Sequence, residues 1–74
     1  MARLTLPLRF RKEEHANSCI EASGLFPIGA RAVEGPRGRW FVVINARNAE
    51  SVLRHLRTTM PGVEWLVSAE EVAP

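Results

Sequence analysis

Glu34-Gly35-Pro36-Arg37-Gly38-Arg39-Trp40-Phe41-Val42-Val43-Ile44-Asn45 is the stretch on which the fold of this chain turns. From Trp40 to Ile44 it is an unbroken run of aromatic and β-branched residues, the composition of a strand. Gly35, Pro36, Arg37 and Gly38 in front of it supply the unusual dihedrals of a tight connection. Ile28 to Glu34 reads as a strand before the connection. The spacing therefore predicts an antiparallel hairpin with Arg39 to Asn45 as its second arm. Period two divides that arm. Trp40, Val42 and Ile44 share one face, and Arg39, Phe41, Val43 and Asn45 share the other.

Working outward, Lys12 to Ser23 carries Ala16, Cys19, Ile20 and Ser23 at helical spacing, a narrow stripe. Glu13 and Glu14 stand in its first turn, where the helix dipole favours anions. Gly24 is a natural stop, with Pro27 three residues beyond. Nearer the start, Leu4, Leu6, Leu8 and Phe10 alternate with Arg3, Thr5, Pro7 and Arg9, the period of a strand with one apolar face. Downstream of the hairpin, Asn48 suits an N-cap. Ala49, Val52, Leu53, Leu56 and Met60 then form a strong 3.6-residue stripe, and Glu50 and Arg54 are a favourable i,i+4 pair. Pro61 and Gly62 end that helix. Val63 to Ser68 reads as the last strand, with Trp65 and Val67 alternating against Glu64, Leu66 and Ser68. Glu70 to Pro74 is expected to be a frayed tail.

The order is strand, helix, strand, strand, helix, strand. It implies one α+β domain over residues 1–74, the ferredoxin-like βαββαβ arrangement, a four-stranded antiparallel sheet with two helices on one face. Trp40, Leu53 and Leu56 should be buried between the layers. Pro7 conflicts with this topology. It cannot donate to a ladder, whereas the first strand of such a sheet is central.

Composition bounds the function. A chain of 74 residues, 46% hydrophobic and 24% charged, is a single small globular domain. Its core should yield only about 3–5 kcal/mol, so a partner or self-association would help it. One cysteine, Cys19, precludes an internal disulfide and fits a reducing, cytoplasmic setting. There is no apolar run of membrane-spanning length. MARLTLPLRFRK lacks the apolar region and cleavage site of a signal peptide. Nine of the ten basic residues are Arg, and all eight acids are Glu, for a mild net charge of +2. A GC-rich genome would account for that bias. It also leaves a surface rich in planar guanidinium forks.

Reactive constellations are sparse. His15 and Cys19 are four apart on the first helix, yet there is no Asp to orient the imidazole, and a lone Cys commonly packs as a small hydrophobe. With His55 they fall short of a structural zinc set. Glu13 and Glu14 point about 100° apart and do not face each other. No enzyme activity, metal or cofactor is expected.

Arg37, Gly38, Phe41 and Val42 stand as they do in the third-strand signature of the RNA-recognition motif, which this stretch partly resembles. Arg39, Trp40 and Ile44 depart from it, and Leu4-Thr5-Leu6-Pro7-Leu8 lacks the companion aromatic. The resemblance covers eight residues and implies RNA contact through the open sheet face. More generally, that face should carry Arg3, Arg9, Arg31, Arg39, Phe41, Val43 and Leu66, with Arg37 in the adjoining loop. Arg and aromatics are enriched at interface hot spots. The expected function is a small non-enzymatic protein-binding module acting through Arg3, Arg9, Arg31, Arg37, Arg39, Phe41 and Val43. Its partner would be another protein or a second copy of itself as a homodimer. Phage-encoded inhibitors of bacterial defence, anti-CRISPR proteins among them, commonly have this size and lack of motifs, and a dimeric bacterial accessory protein fits equally. The alternative is a nucleic-acid-binding module that grips phosphates through Arg. Membrane association is not expected.

Overall fold

The computed structural model describes residues 2–69. The tail expectation for Glu70 to Pro74 lies outside them. Strand β1 spans Ala2–Thr5, helix α1 Glu13–Ala22, strand β2 Arg31–Glu34, strand β3 Trp40–Ala46, helix α2 Ala49–Thr59 and strand β4 Leu66–Ala69. The strands form one antiparallel sheet in the order β2-β3-β1-β4, the ferredoxin-like topology. Leu4, Leu6, Val42, Ile44, Ala16, Ile20, Leu25, Leu56 and Trp65 make the core between sheet and helices.

Local chemistry explains the helix ends. Asn48 caps α2, its Oδ1 accepting from the Ser51 backbone N–H at 3.1 Å. At the end of α1 the Gly24 N–H donates to the Glu21 carbonyl at 3.2 Å and the Leu25 N–H to the Ile20 carbonyl at 3.0 Å. Gly24 has φ +65°, so this is a Schellman stop, and the residue after it, Leu25, plugs into the core.

The conflict at Pro7 resolves by a bulge. β1 is central but stops at Thr5. Leu6 still donates to the Val42 carbonyl at 2.9 Å, and Phe10 exchanges both backbone bonds with Trp40 at 2.9 and 2.7 Å. Four steps from Leu6 to Phe10 therefore run against two from Val42 to Trp40, and the surplus leaves the ladder around Pro7, Leu8 and Arg9. Proline is tolerated there because its missing N–H has no ladder partner to satisfy. A surplus of two preserves the side-chain alternation, so Phe10 still packs against the core. Leu8 does not follow the stripe: it swings outward and stays 49% exposed.

Other boundaries also differ from the periodic reading. Ile28 is not strand. Phe26–Ile28 is a 3-10 turn opened by Pro27 and closed by Gly29 at φ +89°, so β2 begins only at Arg31. Val63 to Trp65 precede β4 rather than belong to it, although Trp65 is buried. Trp40 and Leu53 are half-buried, and Leu56 alone of the expected trio is fully enclosed.

Candidate functional site

Register decides what lies on the helix-free face. Arg31, Val43, Thr5 and Leu66 are mutually in register and form one row across all four strands. Asn45, Arg3 and Ser68 form the next row, and Val33 pairs with Phe41 toward the hairpin end. Pairs of this aromatic and β-branched kind contribute about 0.2–1 kcal/mol. Val43, at the centre of the face, retains only 3% exposure. It is a floor beneath its neighbours rather than an exposed contact.

The β2–β3 connection shapes the end of this face. Gly35 donates to the Arg39 carbonyl at 2.7 Å and Arg39 to the Pro36 carbonyl at 3.3 Å, closing a tight loop. The Phe41 ring packs closely against Gly35: a Cβ built there would sit 2.5 Å from Phe41 Cε2. Glycine at 35 thus lets the ring fold over the loop. Arg37 is held at φ 61°, the one non-glycine in the left-handed region among the described residues. That conformation costs an L-residue about 1–2 kcal/mol. Arg37→Gly should therefore stabilise the fold by about 0.5–1 kcal/mol, once the extra freedom of the unfolded chain is deducted. Thermal melts measure it. A lower melting temperature would mean that the Arg37 side chain itself stabilises the loop.

Arg9, Pro36, Arg37, Arg39 and Phe41 line one groove of about 580 Å³ in the open surface. The bulge at Pro7 to Arg9 brings Arg9 there, because Phe10 is tied to Trp40 and Arg39 adjoins Trp40. Arg3, Thr5, Val33, Glu34, Gly35, Phe41 and Val43 line an adjoining hollow of about 260 Å³ that shares Phe41 and Pro36 with the groove. Arg9, Arg37 and Arg39 have no carboxylate within ion-pair distance among the described residues. Three guanidinium groups without an ion pair among the described residues, lining a groove with one aromatic ring, favour a planar, anionic group with an apolar neighbour.

Of the residues expected from the sequence, the structure gathers Arg9, Arg37, Arg39 and Phe41 in the groove and Arg3, Phe41 and Val43 in the hollow. Arg31 stands beside Val43 in register but lines neither the groove nor the hollow. It lines the cleft between α1 and the β2 edge, with Glu13, Asn17, Glu21 and Phe26. Pro36, Gly35, Val33 and Thr5 were missed. Counting back from Trp40 across the loop would have found Val33 opposite Phe41, since Glu34 and Trp40 close the hairpin. His15 is exposed and Cys19 packs partly against the core. Among the described residues no three His, Cys, Asp or Glu side chains gather as a metal site. No described helix is long and apolar enough to cross a membrane.

Comparison with family models, curated proteins and solved structures returned no match for this chain.

Proposed function

We propose that this chain is a non-enzymatic module that binds an acidic surface of another protein through the β2–β3 hairpin groove and the adjoining open face. The observation that carries the reading is Arg37. A strained backbone held by a charged residue, where glycine would relieve it, points from structure toward use of the side chain. Arg37 shares its groove with Arg9, Arg39 and Phe41. Such a set suits a hot spot, an aromatic anchor ringed by directional cations. A module of this size, without reactive chemistry, fits a cytoplasmic role as a phage-type inhibitor of the anti-CRISPR kind or as a dimeric accessory protein.

The test is a mass-resolved pull-down from source-cell extract, treated with nuclease, using the parent chain and Arg37→Glu/Arg39→Glu. A protein retained by the parent and lost by the double variant supports the reading. A protein held equally by both sinks it.

The second reading is single-stranded nucleic acid, favoured by the placement of Phe41 beside three Arg, where a base would stack and phosphates would pair. The net charge of +2, with Glu interspersed, argues for the protein instead. Each phosphate contact gains from counterion release, which requires many cations. Generic DNA and RNA should bind no tighter than about 10 μM at physiological salt, within the non-specific range. Fluorescence anisotropy with labelled oligonucleotides checks this. A sub-micromolar affinity that collapses with salt would transfer the groove to nucleic acid.

A further inference from the structure

The cleft of about 430 Å³ between α1 and the β2 edge is separate from the hairpin groove and opposite to it in charge. Its floor is made of small side chains. Ala32 is in register with Val42 and so faces the helix layer, with Ala30 two residues before it on the same side. Both alanines line the cleft, where the neighbouring strand carries the larger Val42 and Ile44. On the helix wall Glu13, Asn17 and Glu21 follow at four-residue spacing and share one face of α1. Both carboxylates are exposed, and neither has an ion pair among the described residues. Phe26 lines the same cleft with 74% of its surface exposed, the most of any large apolar side chain described. Arg31 also lines it, so two carboxylates stand against one guanidinium. The chain's net +2 does not cancel this local excess, because exposed charges are screened beyond about 8 Å at physiological salt. The β2 edge beside the cleft is unpaired. Gly35 donates to the Arg39 carbonyl, so by alternation Val33 and Arg31 bond to β3, and the N–H and C=O of Ala32 and Glu34 are directed away from it.

We propose that this cleft takes an extended, basic segment of another protein, which pairs with β2 as a further strand and brings Lys or Arg side chains to Glu13 and Glu21. The outward backbone groups of Ala32 and Glu34 suit an extended chain, whose main-chain bonds supply affinity while side chains in the cleft supply selection. The unpaired carboxylates and the exposed Phe26 ring suit a cation, which both attract. The alanine floor admits an aliphatic side chain. The spacing of the charges agrees with an extended occupant. From Glu13 to Glu21 the helix rises about 12 Å, and four residues of strand span about 13 Å. Basic residues four apart, with a Val on the same face between them, therefore match the two carboxylates and the floor. Exposed Arg31 and Glu34 at the ends of β2 discourage strands of unselected sequence, which narrows the choice of partner. Glu13, Glu21 and Phe26 do not line the hairpin groove, so the two surfaces act independently.

Titration calorimetry of the full chain with the capped peptide GTKTVTKTG tests the inference. A Kd below about 100 μM is expected, and the glutamate counterpart GTETVTETG should bind at least about tenfold more weakly. Glu13→Gln/Glu21→Gln should weaken the lysine peptide by at least about tenfold, and Phe26→Ala should weaken it as well. All three side chains are exposed, so the melts should be retained. Ala32→Leu fills the floor without touching a charge and should also weaken the peptide. As a second measurement, amide hydrogen exchange at Ala32 and Glu34 should slow when the peptide binds, which a charge contact without strand pairing would not produce. A Kd above about 1 mM for the lysine peptide overturns the inference. So does equal binding of the two peptides, binding that survives Glu13→Gln/Glu21→Gln, or binding that leaves both amides unprotected. A parent that self-associates, and that either Glu13→Gln/Glu21→Gln or Arg37→Glu/Arg39→Glu dissociates, would give the cleft to the groove of a second copy and overturn it too. Arg37→Glu/Arg39→Glu should not weaken the peptide, so failure of the cleft leaves the groove reading standing.

Discussion

Leu56→Ala should leave the chain largely unfolded. Leu56 is 0% exposed and is the only residue of α2 buried outright, seated in the cluster with Leu4, Ile44 and Trp65. The remaining members of its stripe, Ala49, Val52, Leu53 and Met60, pack against that cluster only in part. Truncating a buried Leu costs about 2–5 kcal/mol, the removed methyl groups and the cavity both contributing. A domain this small holds only about 3–5 kcal/mol in its core, so one substitution consumes most of the margin. Circular dichroism melts with urea titration measure it. Leu53→Ala is the internal comparison and should cost less, because Leu53 is already half in solvent. Equal small losses at both positions would mean that α2 does not rest on Leu56.

Phe41→Glu should separate binding from folding. Phe41 is half-buried, paired with Val33 and resting on Gly35, on the face without helices. A polar residue at an outward strand position costs about 1 kcal/mol of strand preference, which the fold should survive. In a formed interface the same carboxylate would replace the apolar anchor. Losing such an anchor costs about 2 kcal/mol or more, some thirtyfold in affinity. Three nearby guanidinium groups would draw the new carboxylate in, and this would further close the groove to an acidic partner. The measurement pairs a melt with partner capture by the same sample. Normal melting with unchanged capture would make Phe41 a bystander. A collapsed melt would show that the ring holds the hairpin together.

Much of this molecule is legible without coordinates, and the legible parts share one property. The Asn48 cap, the Gly24 stop, the α2 stripe and the alternation of β3 each depend on residues within about one helical turn or two strand positions of one another. The order of elements follows from them, and with it the ferredoxin-like sheet. The same reasoning placed Arg9, Arg39 and Phe41 on one face and Arg37 in the adjoining loop, and these four do line one groove.

The remainder depended on what the chain meets at a distance. Pro7 announced a break, but only the pairing of Phe10 with Trp40 shows that the surplus is two residues and that Phe10 returns to the core side. Val43 alternates like an exposed residue, yet Thr5 and Arg31 flank it from separate strands and it is buried. Leu66 reads as an open-face residue and Val67 as one on the opposite face, yet both stand open because β4 falls at the edge. Arg31 keeps the face of Phe41 that its period assigns, and from the edge strand it also lines the α1 cleft, which its period does not show. Periodicity assigns a side chain to a face. How deeply that face is covered depends on which strands lie beside it, and that is a long-range property of the packed sheet.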